Sequence, residues 1–152
     1  MGNRQNWYFV VVDDPQIKED ISDLADIRQH YVYKASLVIV VFYDCTQEID
    51  NKLNAPYITA GMIIQNLLLL IHANDLGAIY LGDIKKIEGL NKAVHAPDFL
   101  TPMGIICVGY PKNTNECYPP PRKQLQKILS FNRCNKSKPD FPYDLNPKKW
   151  SL

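Results

Sequence analysis

The side chains able to act as nucleophiles, metal ligands or proton carriers include four cysteines, three histidines and sixteen carboxylates. None of them falls into a spacing that known chemistry uses. Cys45, Cys107, Cys117 and Cys134 form no C-x-x-C pair and no ligand-like cluster with His30, His72 or His95, so no metal site is expected. G-x-S-x-G, H-E-x-x-H, a phosphate-binding Walker loop and G-x-G-x-x-G are all missing, and the acids are scattered at surface-like positions. Cys107 lies in an apolar run and reads as an inert buried thiol. His72 sits on a long apolar segment, as a satisfied polar group or an interface residue. Gly82-Asp83 follows a short apolar run and reads as a turn with Asp83 as the N-cap of the next helix. Arg122-Lys123, after the prolines at 119–121, reads as a solvated basic pair. No catalytic residue emerges from these patterns.

Composition narrows the class without naming an activity. With 152 residues, one domain with a real core is expected. Apolar residues make up 46% and charged residues 22%, and the formal charge is +1. That balance argues against nucleic acid or an anionic membrane surface as a partner, while leaving room for a local anion pocket. The first residues carry no apolar signal core, so a cytoplasmic protein with free thiols is expected. The most apolar stretch, Tyr57 to Ile71, contains Thr59, Gln65 and Asn66 and is short for a membrane span.

The elements that must position any site are legible as runs and stripes. Trp7 to Val12 and Leu37 to Tyr43 are continuous apolar segments, read as strands buried on both faces. Between them Asp14 and Pro15 start a helix with Ile17, Ile21, Leu24 and Arg28 at helical spacing. Pro56 to Asn74 is apolar almost all round, which marks a helix buried in a core or a subunit interface. Asn74-Asp75-Leu76-Gly77 ends it. A short strand, Ala78 to Leu81, a helix from Ile84 to Val94 and a last strand from Met103 to Tyr110 follow. These alternations read as a sheet covered by helices, an α/β layered domain. Arg122 to Phe131 reads as one helical stretch. Residues 132–152, with three prolines and Phe141, Tyr143 and Trp150, read as an extended or disordered tail.

The order and content of these segments resemble the FMN-dependent nitroreductase family. Gly2-Asn3-Arg4-Gln5-Asn6-Trp7 is similar to that family's Gly-Asn-x-Gln-Pro-Trp strand entry, with Asn6 in place of the proline. Ala35-Ser36 before Leu37, the helix from Ala60 through Leu69 with its Leu76-Gly77 turn, and Leu81-Gly82-Asp83-Ile84 at the Gly-Gly turn continue the match. Gly109-Tyr110-Pro111 and Pro121-Arg122-Lys123 close it.

The resemblance implies an α+β fold: a central sheet flanked by helices, with a long buried interface helix, spanning residues 1–131. It implies a homodimer holding FMN between subunits. Asn3, Arg4 and Gln5 would lie near the flavin, and the backbone at Gly82 and Asp83 would approach its reactive face, where a missing Cβ favours close contact. Arg122, with Lys123, would contact the phosphate, since a guanidinium fork suits two phosphate oxygens. Electrons would pass from NAD(P)H or a ferredoxin-like donor to a small nitroaromatic, quinone-like or related acceptor, with no side chain acting as acid or base. The family's N-terminal helical segment, which carries an arginine-rich phosphate grip, has no counterpart here. Asp83 replaces the second glycine of the turn. The chain is therefore expected to be a shortened member or a fragment, and a flavin-poor relative serving as a binding or regulatory subunit is the alternative.

Overall fold

The computed structural model describes residues 4–27, 29–46, 54–112, 121–125 and 128–134. The chain divides into two compact units, residues 1–114 and 115–152. The first holds all the regular elements: β1 (Trp7–Val12), α1 (Pro15–Ala25), α2 (Gln29–Lys34), β2 (Leu37–Asp44), α3 (Ala55–Ala73), β3 (Gly77–Leu81), α4 (Gly89–Ala93) and β4 (Leu100–Gly109). The strands form one sheet in the order β1-β2-β4-β3.

Every pairing in that sheet is antiparallel. The layered α/β expectation therefore resolves as α+β, the class that the family resemblance implies. The central strands β2 and β4 alternate between two cores. Val38, Val40, Phe42, Ile105 and Cys107 face one, with Ile21 and Ala25 of α1, Val32 of α2 and Leu90 and Ala93 of α4. Val41, Tyr43, Met103, Ile106 and Val108 face the other, against Ala60 and Ile64 of α3. The continuous apolar runs of the two middle strands follow from this double burial.

β1 departs from the same expectation. It is an edge strand, paired only with β2, and Tyr8 and Val11 are exposed on it. Val12 alone is fully buried there.

α1 begins as its sequence dictates: the Asp14 carboxylate accepts from the N–H groups of Gln16 and Ile17 at 2.7 and 3.2 Å. It ends earlier than the apolar stripe implied, at Ala25, because Asp26 takes the left-handed conformation and returns its N–H to the Ser22 carbonyl. α2 has no periodic signal, being six residues rich in aromatic and β-branched types. Tertiary contacts hold it. Val32 is buried, and the buried Lys18 ammonium of α1 donates to the Ala35 carbonyl just beyond its end, at 3.2 Å.

The helix expected from Ile84 to Val94 contracts to α4, with residues 85–88 as a turn. Packing accounts for this. Gly89 lies against the carbonyl of Leu24, where an added Cβ would overlap backbone atoms, and Lys86 N–H donates to the Ala25 carbonyl at 3.3 Å. Residues 84–88 follow α1 rather than coil freely. Within the second unit, the helical stretch expected over 122–131 is irregular at 122–124 and 129–131. One tight turn is described, from the Ile128 N–H to the Leu125 carbonyl at 3.0 Å. Asn3, Cys117 and the tail beyond Cys134 lie outside the described residues.

α3 runs for 19 residues, one flank on the sheet through Pro56, Ala60 and Ile64. By length and composition alone the whole helix is long and apolar enough to cross a membrane, although the Tyr57 to Ile71 stretch within it is short for a span. Its other flank leaves Tyr57, Ile58, Met62, Leu69 and Leu70 exposed.

Two glycines in helices should respond oppositely to alanine. Gly89→Ala meets immovable backbone and is expected to lower stability by about 1–3 kcal/mol. Gly61→Ala, with nothing within 4 Å of the added methyl, should raise it by about 0.5–1 kcal/mol. Urea denaturation midpoints at unchanged slope would measure both; equal effects of the two would contradict the packing described for α1 and α4.

Candidate functional site

The register of the sheet brings several segments to one end. Trp7 pairs with Tyr43, Asp44 with Leu100, and Leu81 with Ile105. β1 therefore starts, β2 ends and β4 starts at one end of the sheet, while β3 runs toward that end but stops at Leu81, opposite Ile105 in the middle of β4. Arg4 and Gln5 precede β1 at that end, and Gly82 and Asp83 follow β3; all four are exposed. β1 and β3 are the two outer strands, three inter-strand steps of about 4.8 Å apart. Arg122 and Lys123 are exposed residues of the second unit and are described within it alone.

A bulge shapes this end. The pairing of β2 with β4 slips between Val41 and Phe42, where Val41 faces Gly104 and Phe42 faces Pro102. Gly104 has φ +123°, a conformation open to glycine, and a Cβ there would lie 2.7 Å from the Leu81 carbonyl oxygen. The extra residue, Met103, points its side chain into the α3 core and leaves its carbonyl to accept from the Tyr80 hydroxyl at 2.6 Å.

Tyr80 then fills the space above two glycines. A Cβ at Gly104 would come within 2.7 Å of the ring's Cε2 edge, and one at Gly82 within 2.6 Å of the hydroxyl oxygen and 2.8 Å of Cε1. The missing side chain of Gly82 thus makes room for the protein's own tyrosine. That is a different reason for the glycine from ligand approach, and it concerns only the side on which a Cβ would project. Burial of the phenol raises its pKa above the usual value near 10.

The N–H groups of Gly82, Asp83 and Ile84 donate to no backbone carbonyl among the described residues. Asp83 is not an N-cap, because the next helix begins at Gly89 after Glu88. Between the first half of α3 and the bulge, reaching Tyr80 two residues before the Gly82–Asp83 turn, lies a cavity of about 380 Å³. Tyr57, Ala60, Ile64, Leu68, Tyr80 and Met103 give it an apolar and aromatic wall, with Gln65 as an amide. Its size falls within the range of small-ligand sites.

The ionisable groups nearby carry little catalytic potential. Asp44 is held below the usual carboxylate range by the Thr46 hydroxyl, at 2.6 Å, and then by the Thr46 N–H, at 2.9 Å. Cys107 faces the opposite core, and burial pushes its thiol up to about 11. No group of three or more potential metal ligands occurs among the described residues. Sequence reading missed Tyr80 and Gly104. A glycine inside an otherwise apolar strand is the signal that could have located the bulge.

Comparison with known proteins places this geometry in a family. A sequence profile of the Nitroreductase family matches residues 23–110. The chain belongs to the nitroreductase family. A Methanothermobacter thermautotrophicus protein provisionally named NADH dehydrogenase/NAD(P)H nitroreductase is 27% identical over 128 residues, covering 80% of this chain and 65% of its own length. The Bacillus subtilis FMN reductase (NADPH) is 24% identical over 159 residues, 93% of this chain and 63% of that protein. The crystal structure of NADPH:FMN oxidoreductase from Vibrio harveyi, complexed with NAD+, superposes with a TM-score of 0.74 at 21% identity. It covers 90% of this chain and 61% of that one. The chain thus spans about two thirds of the length of the curated relatives it matches.

The thiol assignments are directly testable. At pH 8 a chromogenic disulfide reagent should label Cys134, which is exposed, while Cys107 should react only on unfolding, being protonated and buried. Mass spectrometry of the labelled native protein would find the modified residue; rapid labelling of Cys107 would contradict its burial.

Proposed function

We propose that the chain is the core of an FMN-dependent oxidoreductase that takes reducing equivalents from NAD(P)H and delivers them to a small planar acceptor, nitroaromatic or quinone-like. The observation that carries this reading is an aromatic-lined cavity walled in part by Tyr80, two residues before a Gly82–Ile84 segment whose N–H groups find no backbone acceptor among the described residues, in a chain of the nitroreductase family. A flavin ring presents acceptor atoms along one edge and an apolar edge opposite. Donors next to an apolar cavity fit such a molecule, and on this count the residues present suit the group. The names of the relatives, which include an NADPH-dependent FMN reductase, support the choice of donor and cofactor.

In this reading the bound flavin supplies the redox chemistry, accepting hydride and returning electrons. The protein binds and orients. The amides of the Gly82 turn offer hydrogen bonds to the ring's polar edge, and the cavity wall of Tyr57, Leu68 and Met103 excludes water from its apolar part. Arg4 and Gln5, which precede β1, are the candidates for the ring's other polar contacts. Arg122 and Lys123 supply cationic groups for the phosphate, Arg122 in the fork geometry that suits it. Asn3 belongs to the same proposal.

A second copy of the chain is the natural cover for the outer flank of α3. Ile58, Met62, Leu69 and Leu70 are exposed on it, and such an apolar face favours association. We place the protein in the cytoplasm, where its thiols stay reduced and NAD(P)H is at hand.

The visible spectrum of the purified protein with added FMN, run beside gel filtration, tests the reading. A retained yellow chromophore on a dimer is expected; a colourless protein that takes up no FMN would sink it. Within a flavin-binding protein, Asp83→Asn should tighten FMN by about two- to fivefold, because it removes a negative charge exposed beside an electron-rich ligand. Fluorescence titration at low and high salt measures this, and the gain should shrink as salt rises.

A further inference from the structure

We propose that Tyr80 is a positioning residue that sets the backbone of the Gly82–Asp83 turn for ligand binding, by wedging its ring between Gly82 and Gly104 and anchoring its hydroxyl on the bulge carbonyl of Met103. The inference rests on the reading of that turn as the flavin-facing donor run. The turn leaves β3 with no cap at Asp83 and no backbone acceptor for three successive N–H groups among the described residues, so no backbone ladder fixes it there. Tyr80 supplies what is missing. Its hydroxyl is fixed to Met103 at 2.6 Å, a position dictated by the β-bulge. Its two ring edges face the Cα atoms of Gly82 and Gly104 so closely that neither glycine tolerates a side chain without displacing the ring.

The three parts are coupled in one direction. At Gly104 the neighbour is also backbone, the Leu81 carbonyl, and the positive φ bars other residues, so the bulge is the fixed end. At Gly82 the three nearest atoms all belong to the far end of Tyr80, so the turn's fixed neighbour there is this ring and not backbone. The ring transmits the position of the bulge to the turn. It also lines the cavity, so the residue that shapes the donor run bounds the space the ligand would occupy. Removing the hydroxyl frees the ring to swing and lets the turn relax.

Two variants and one double variant test this, read as FMN affinity and bound-flavin absorption spectrum well below the melting temperature, together with backbone amide resonances without FMN. Tyr80→Phe keeps the ring and loses the anchor; it should weaken FMN by about two- to fivefold, the part of that hydrogen bond's worth that orders the turn. It should also shift the flavin band and move the Gly82, Asp83 and Ile84 amide resonances in the ligand-free protein. Gly82→Ala should do the same by pushing the ring aside. In a Tyr80→Ala background, Gly82→Ala should cost nothing further, because the ring it would displace is gone. Wild-type affinity, spectrum and amide resonances in both Tyr80→Phe and Gly82→Ala would overturn the role of Tyr80 while the flavin reading stands. A wild-type protein that takes up no FMN would overturn both.

Discussion

The antiparallel pairing of β2 with β4 is the constraint on which the rest of the molecule depends. Among the described strands these two alone have neighbours on both sides, and they are apolar on both faces. A sheet buried on both faces needs two covering layers, and the described elements supply them unequally. α1, α2 and α4 cover one side with short, interlocked pieces, while α3 is the described cover of the other. Where a layer is made of short pieces, contacts between helices take the place of intrinsic propensity. Gly89 against the Leu24 carbonyl and Lys18 on the Ala35 carbonyl are contacts of that kind.

The same pairing also sets the functional end. An antiparallel ladder without a defect would alternate cleanly to its last residue. The slip at Gly104 adds Met103 to one strand, turns its carbonyl out of the ladder and gives Tyr80 an acceptor to reach. A defect in the sheet thereby becomes a fixed point outside it. Bulges recur beside active sites because they re-aim groups without disturbing the core, and here the re-aimed group is a carbonyl that holds an aromatic ring.

What could be read from the residues divides along physical lines. Strands β2 and β4, the α1 cap at Asp14 and the extent of α3 were legible because each rests on a local signal: a long apolar run, a capping side chain with proline, a helix of uniform hydropathy. The exposure of Tyr8 and Val11 was not legible. An edge strand and a central strand have the same β-branched composition, and only the pairing order separates them. α2 and the shortening of α4 were hidden for the converse reason, since both are decided by residues distant in sequence. At the site, the segments containing Gly82 and Arg122 could be singled out only through family resemblance, as neither carries a spacing that chemistry demands. Tyr80 escaped because a tyrosine in a short strand reads as core, and its partner carbonyl depends on a bulge.

The glycine at 82 shows how a residue can be noticed for one reason and required for another. Close approach of a planar ligand and room for a neighbouring aromatic ring both call for the absence of a Cβ, and composition cannot separate them. The geometry does, on the side where the Cβ would project: that side belongs to Tyr80. The amide side of the turn stays free, and the two demands are compatible because they concern different faces of one peptide segment. Asp83 then acquires a plainer meaning than a helix cap. With α4 starting only at Gly89, its carboxylate is an exposed charge on a segment whose N–H groups find no backbone acceptor among the described residues. An exposed charge acts through a field that solvent screens, so it changes what the turn attracts without altering the fold that holds it.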